Sequence, residues 1–395
     1  MITPIITRIY SIEALGVLAV FISISSILAV LYPVGLEQAV MLPKSDRRAD
    51  RVASLAFSSI MILSIISLLI IWILKISSTS FQAVQELGVY IWLIPFAAAS
   101  LASTNVINQI NLRSDHIAQI SNGMLVKSLS LAVVQIGLGL SKVLESGLIW
   151  GRLASHFFQL VFVAKKLDIS RLVSNSKELR ETLIRYRKFP LFNTWGAFAN
   201  ISAIYMVPVL IAHYYSISLA GEFALMQRVL VVPVFFIGQA FGQIYYRNLI
   251  QEKNQTGTGK RTYMFSFAIL MLAGIIIFLP IRLWGVELID TFLGGKVQNL
   301  TMYVKILTPM FFIRFVASPL SFTLNAFERQ ELNMVWQISL FLFIIIAFLV
   351  AKAMLFELDM LLKLYSSIVA IMYVIQIALS FSVAHFKNGH PANTI

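Results

Sequence analysis

Eleven apolar runs, each 19 to 25 residues long, take up most of this 395-residue chain. They are 12–32, 52–74, 88–109, 118–140, 146–164, 190–214, 222–246, 262–284, 301–325, 333–355 and 362–384. At about 1.5 Å rise per residue, a helix of this length crosses the ~30 Å hydrocarbon core of a bilayer. Lipid offers backbone N–H and C=O groups no partner, so runs of this kind must be helical. The expected class is therefore all-α, a polytopic transmembrane helical protein. Charged residues make up 12% of the chain, about half the share of a soluble domain, which leaves no water-soluble mass to speak of.

One short pattern occurs twice. Ile6, Tyr10, Ser11, Ile12, Gly16 and Ala19 match Ile211, Tyr215, Ser216, Ile217, Gly221 and Ala224 at a single offset. Parallel repeats of this kind mark transporters. The chain divides accordingly into an N-terminal bundle, 1–164, a basic linker, 165–189, and a C-terminal bundle, 190–395. The repeat also implies a truncated first helix. A whole span, Pro190–Tyr214, precedes Tyr215, but only nine residues precede Tyr10. The deficit of about sixteen residues is roughly 24 Å of helix. An upstream true start or a disrupted gene would explain it, and N-terminal mass spectrometry of the natural protein would decide.

Basic residues set the orientation. The net charge of +13 lies mostly in short loops, which points to membrane topology and not to nucleic acid. One set of loops is rich in Lys and Arg, from Lys44 and Arg47 through the linker to Lys387. The opposite set holds little beyond Arg8, Lys75, Lys142 and Lys296. The linker and the C-terminus are thus expected in the cytoplasm. With no cysteine and five scattered histidines, neither a disulfide framework nor a metal site is expected, and no cofactor is implied.

Four basic residues fall deep within spans: Lys127, Arg152, Arg228 and Arg314. Arg282, Lys305, Lys352 and Lys363 lie near enough to an interface to snorkel. The deep ones share helix faces with polar neighbours. Arg152 is followed by His156 and Gln159 at i+4 and i+7, and Arg314 by Ser318, Ser321 and Asn325 at i+4, i+7 and i+11. Arg228, Gln239 and Gln243 form another stripe, and Asn105 and Gln109 mark a polar face on a third helix. Interhelical hydrogen bonding accounts for the amides and hydroxyls equally well. A guanidinium asks for more, namely an anion or water. The acids that could serve, Glu13, Glu37, Glu145, Glu222 and Glu328, all sit near span ends. Such an excess of buried cations suggests a cavity for an anionic substrate.

The run TRIYSIEALGVLAVFISISSIL and the following LEQAVMLPKSD resemble the opening of the bacterial oligosaccharide flippases. FPLFNTWGAFAN, YYSISLAGEFALMQRVLVVP and IGQAFGQIYY resemble the start of that family's second half, and RFVASPLSFTLNAFERQ a later stretch. The resemblance covers nearly the whole chain, with Ile12 standing where the family usually has proline. That family falls in the multidrug/oligosaccharidyl-lipid/polysaccharide exporter superfamily. The resemblance implies two pseudo-repeated six-helix bundles around a central cavity. It also implies an undecaprenyl-pyrophosphate-linked oligosaccharide, an O-antigen or capsule repeat unit, carried across the plasma membrane by alternating access. A polysaccharide polymerase and chain-length machinery would be its partners. Arginine suits a pyrophosphate because its planar fork donates in pairs.

Other chemistries fare worse. GTGKR at 257–261 lacks the first glycine and preceding strand of a phosphate-binding loop. The pairs Gly147/Gly151 and Gly238/Gly242 read as helix packing. A drug or cation antiporter of the same superfamily would want a mid-membrane carboxylate. A membrane-embedded glycan polymerase or transferase would want a large outward loop carrying acids, and the outward loops are short.

Overall fold

Each of the eleven apolar runs is helical in the computed structural model, which describes residues 3–76, 85–141, 146–172, 175–295 and 297–385. Lys142, Glu145, Lys296 and Lys387, named above, lie outside the described residues. The helices are α1 (Thr3–Ile9), α2 (Ile12–Leu31), α3 (Leu36–Ala39), α4 (Asp46–Ile76), α5 (Ile94–Arg113), α6 (Ile117–Leu140), α7 (Gly147–Ala164) and α8 (Ser176–Tyr186). They continue as α9 (Thr194–Tyr214), α10 (Ile217–Thr256), α11 (Lys260–Leu293), α12 (Leu300–Leu320), α13 (Phe322–Ala326), α14 (Gln330–Ala353) and α15 (Leu358–His385). Ten of the runs are long and apolar enough to span a membrane; the eleventh, 222–246, lies within the 40-residue α10. The protein is an all-α, multi-pass membrane protein.

Contacts gather the chain into two compact units, Met1–Gly221 and Glu222–Ile395. The repeat assigns residues 190–214 to the second half, yet α9 packs along α2 in the first unit. Sequence repetition and spatial contact thus draw the boundary at different places.

In the first unit several residues of the repeated pattern make specific contacts. Ser11 ends the backbone of α1 and caps α2, its hydroxyl accepting from Ala14 N at 3.1 Å. Ser216 does the same for α10, accepting from Leu219 N at 3.2 Å. Ile12 sits at the first helical position, where the fixed φ of proline would fit equally well. The Tyr10 hydroxyl donates to Gln135 O at 2.6 Å, tying α1 to the α6–α7 hairpin. Gly139 and Gly147 make room for that ring, because a Cβ on either would strike its hydroxyl. Ile6 and Ile211 are buried.

The glycines of the pattern meet each other's copies. A Cβ on Gly16 would run into the backbone carbonyl of Ile217, and one on Gly221 into the carbonyl of Ile12, with Gly16 N 2.9 Å away. Here α2 and the start of α10 touch backbone to backbone. Below them, small residues let α2, α4 and α5 close on one another: Ala49, Ala53, Ala56, Ala98 and Ala102 pack around Tyr32 and Leu36. Tyr32 reaches the Ser67 hydroxyl at 2.5 Å.

The second unit is stitched by side chains that bond across helices. Tyr263 donates to Ile377 O at 2.8 Å, Trp336 Nε1 to Met372 O at 2.7 Å, and Ser366 to Ile306 O at 2.7 Å. Buried Glu222 accepts from Gln298 N and Asn299 Nδ2, both at 3.1 Å, fastening the loop before α12. The GTGKR run holds the turn between α10 and α11 and the first two residues of α11, with Gly257 at φ 76°. There Glu252 caps α11 from the preceding helix, accepting from Arg261 N at 2.9 Å and Thr262 N at 2.7 Å. Burial pushes its carboxyl up, but the bonds from Thr262 and Arg261 and the Arg261 charge outweigh this and hold it below its ordinary value.

This packing generates two predictions. Gly16→Ala and Gly221→Ala should each destabilise the protein by about 1–3 kcal/mol or more, since carbonyl oxygens cannot rotate away as side chains do. Gly137→Ala, with open space around its Cβ, should be neutral or slightly stabilising. Thermal unfolding in detergent reads all three. Second, a carboxylate held low stabilises the fold above its ordinary pKa, and that contribution is lost as pH falls through the folded value. Glu252→Gln should therefore lower the unfolding temperature at pH 7, and its deficit against the parent should shrink below about pH 4.

Candidate functional site

Two polar sites lie inside the helical mass, one in each unit. The first is built on the α6–α7 hairpin. Helical spacing puts Arg152, His156 and Gln159 on one face of α7, and that face turns inward: His156 and Gln159 are 3% and 4% exposed. Arg152 is half-buried. Its charge bears on Lys127 of α6 and on His156, and Tyr205 of α9 is close enough to interact with it. Lys127 is itself half-buried, between the exposed Leu125 and Leu129.

The polar atoms here are under-used. His156 Nδ1 and Gln159 Oε1 are buried without a hydrogen-bond partner, as is Ser202 Oγ of α9. A buried polar group left unpaired costs about 1–3 kcal/mol, so each is a vacant donor or acceptor. Three cationic or basic side chains with spare hydrogen-bonding capacity can hold an anion.

The second site is a cavity of about 250 Å³ between α10 and the α12–α13 bend. It is lined by Val231, Val234, Gly238, Arg314, Ser318, Ser321 and Phe322. The predicted stripe of α12 is therefore real over three of its four members. Pro319 lies within this stretch and a new helix begins at Phe322. The Arg314 guanidinium is 5.9 Å from the ring centres of both Phe311 and Tyr373. Rings at that distance orient a guanidinium without neutralising it. Among the described residues the lining holds one cation, two hydroxyls and no carboxylate.

The remaining polar residues singled out by spacing scatter. Asn325 is half-buried beyond the cavity lining, and Arg228 is half-buried on α10, also outside that lining. Gln243 and Asn105 are exposed, and Gln109 is half-buried. The side chain of Gln239 lies outside what the structure describes. On α5 the buried polar groups are instead Thr104, Asn111, whose Nδ2 donates to Val163 O at 3.1 Å, and the Oδ1 of Asn108, which is buried without a partner. Sequence reasoning passed over Tyr205 and Ser202, for neither carries charge or belongs to a polar stripe. It noted Glu37 only as an acid near a span end. Glu37 stands half-buried on α3 with Oε2 unbonded, and burial pushes its carboxyl up.

Comparisons with known proteins bear on the whole chain. A family model described as polysaccharide biosynthesis protein matches residues 5–302. No curated protein matches. Among solved structures, an inward-facing multidrug resistance MATE family transporter of the MOP superfamily superposes with a TM-score of 0.71 at 14% identity, over 94% of this chain and 90% of that one. The MATE multidrug transporter DinF-BH gives 0.63 at 15% identity, over 98% and 94%. A MOP superfamily transporter from Pyrococcus furiosus, described as having a binding pocket of reverse polarity, gives 0.59 at 13% identity, over 94% and 86%. At these identities the likeness is one of fold.

The cavity beside Arg314 can be probed directly, because the chain has no cysteine. Ser318→Cys and Ser321→Cys should react several-fold faster with an anionic methanethiosulfonate reagent than with a cationic one. Adding Arg314→Gln should abolish the preference.

Proposed function

We propose that this chain, which belongs to the polysaccharide biosynthesis protein family, is a transporter that carries a lipid-linked oligosaccharide with a pyrophosphate headgroup across the plasma membrane by alternating access. The observation that carries this reading is the sign of the two polar sites. One gathers Arg152, Lys127 and His156, and the other places Arg314 among hydroxyls, with no acid among the described residues of its lining. A pyrophosphate presents several anionic oxygens, and charge-assisted hydrogen bonds from guanidinium groups are among the stronger non-covalent contacts. An undecaprenyl chain could remain in the bilayer throughout, so the protein need solvate only the headgroup and sugars. Residues 165–189 and the C-terminus face the cytoplasm in this reading, on the positive-inside bias. Arg228 would contribute a further cation from α10.

A drug or organic-cation antiporter is the second reading, favoured by the fold shared with multidrug transporters. It asks for an acid where the cation would rest. Glu222 is the buried acid of α10, and both its oxygens already hold the loop before α12.

Replacing Arg152, Arg228 or Arg314 by Ala should lower surface polysaccharide at least about tenfold with normal amounts of protein in the membrane, since one charge-assisted bond is worth ~1.5–3 kcal/mol. Lysine at the same positions should restore only part, for it cannot donate in pairs. Full complementation of a null strain by all three Ala variants would overturn the anionic-site reading. A clean deletion should leave lipid-linked oligosaccharide in the cytoplasmic leaflet, accessible only after permeabilisation. Normal export of repeat units in that strain would sink the proposed substrate.

A further inference from the structure

The linker helix α8, Ser176–Tyr186, has two faces with different fates. One is held: Glu178 pairs with Arg51 in the first turns of α4, and Thr182, one turn on, is buried. The other is open. Arg180, Leu183, Ile184 and Arg187 fall at i, i+3, i+4 and i+7, a single stripe on the far side of the helix. Leu183 and Ile184 are 42% and 57% exposed, and both arginines are exposed. Leaving two large aliphatic side chains in water at the tip of a short helix is costly. Flanking them with arginines matches the pattern of a helix lying in the plane of a membrane surface.

The helix that holds α8 tells where it lies. Asp46–Lys75 is a membrane-spanning stretch, and Arg51 is in its second turn. The start of α4 is basic as well, with Arg47 and Arg48 exposed. The boundary of a span is where lipid headgroups sit, and the Glu178–Arg51 pair holds α8 at that level.

We infer that α8 docks on anionic phospholipid, with Leu183 and Ile184 entering the acyl boundary and Arg180 and Arg187 binding headgroup phosphates. Charge complementarity selects this occupant. The stripe carries two cations and no acid, and the leaflet on the basic side of the membrane is the one richer in anionic lipid. A zwitterionic surface would serve the two aliphatic residues and offer its phosphates, but it lacks the net negative potential that draws the arginines to an anionic one. The inference does not depend on what the protein transports.

Hydrogen exchange of the full chain in nanodiscs tests it, with phosphatidylcholine alone compared with a mixture containing phosphatidylglycerol. The amides of 176–187 should exchange about tenfold more slowly in the anionic discs, and high salt should remove most of the difference. Arg180→Gln with Arg187→Gln should exchange alike in both discs, and Leu183→Ser with Ile184→Ser should lose protection in both. The amides of α4 serve as an internal reference, since Arg51 and Glu178 are untouched. Equal exchange of the parent protein in both discs would overturn the inference. So would protection that appears only on adding a soluble cell fraction, which would assign the stripe to a protein.

Discussion

A helical N–H spends its one proton on the carbonyl four residues back, while that carbonyl keeps a second lone pair. In hydrocarbon this asymmetry decides how helices can be tied together. Side-chain donors cross over and land on spare carbonyl lone pairs of the neighbouring helix. Tyr10 on Gln135 O, Gln135 on Leu148 O, Tyr263 on Ile377 O, Trp336 on Met372 O and Ser366 on Ile306 O are all of this kind, while Asn111 takes the Val163 carbonyl that the end of α7 leaves open. No helix needs to break for such a tie. The donor's apolar stem or ring, where it has one, packs in the same stroke, so polarity and packing are satisfied by one residue.

Much of the fold was legible because the bilayer leaves few options. Run length predicts spans, and each predicted run is helical. The doubled pattern was legible as a repeat, but its meaning was not. Spacing could not say that its serines cap helices, or that its glycines cross one another's backbones. Nor could it say that α9 packs against α2, since contact between elements distant in the chain leaves no local mark. Polar residues were harder for the same reason. A stripe shows which residues share a face; it does not show which way the face points. The stripe from Arg314 turned out to line a cavity over three members, whereas Gln243 and Asn105 are exposed and outside that lining. Tyr205 and Ser202 were invisible to charge and periodicity, and acquire interest only through what surrounds them.

The two polar sites differ in kind. Around Arg314 the guanidinium lies 5.9 Å from two ring centres and faces open volume. Around Arg152 basic groups from two helices crowd together, and buried polar atoms beside them stand unpaired. The first is a cavity of about 250 Å³ with one cation on its wall. In the second, the charge of Arg152 bears on Lys127 and His156 with no acid between them among the groups that act on these residues. An anion arriving there would relieve repulsion as well as gain hydrogen bonds, so binding and stability would be coupled.

The crossing of Gly16 on Ile217 and of Gly221 on Ile12 is a segment meeting its own copy. Each partner presents the same glycine and the same isoleucine carbonyl, as identical subunits do across a two-fold axis. A surface of that sort needs no second design: whatever sequence fits one side fits the other. A chain of half this length would already have carried both sides of the contact, and joining two such chains end to end would have added a linker without inventing an interface. The same economy binds the copies afterwards, because a bulkier residue at either glycine is felt by the backbone of both.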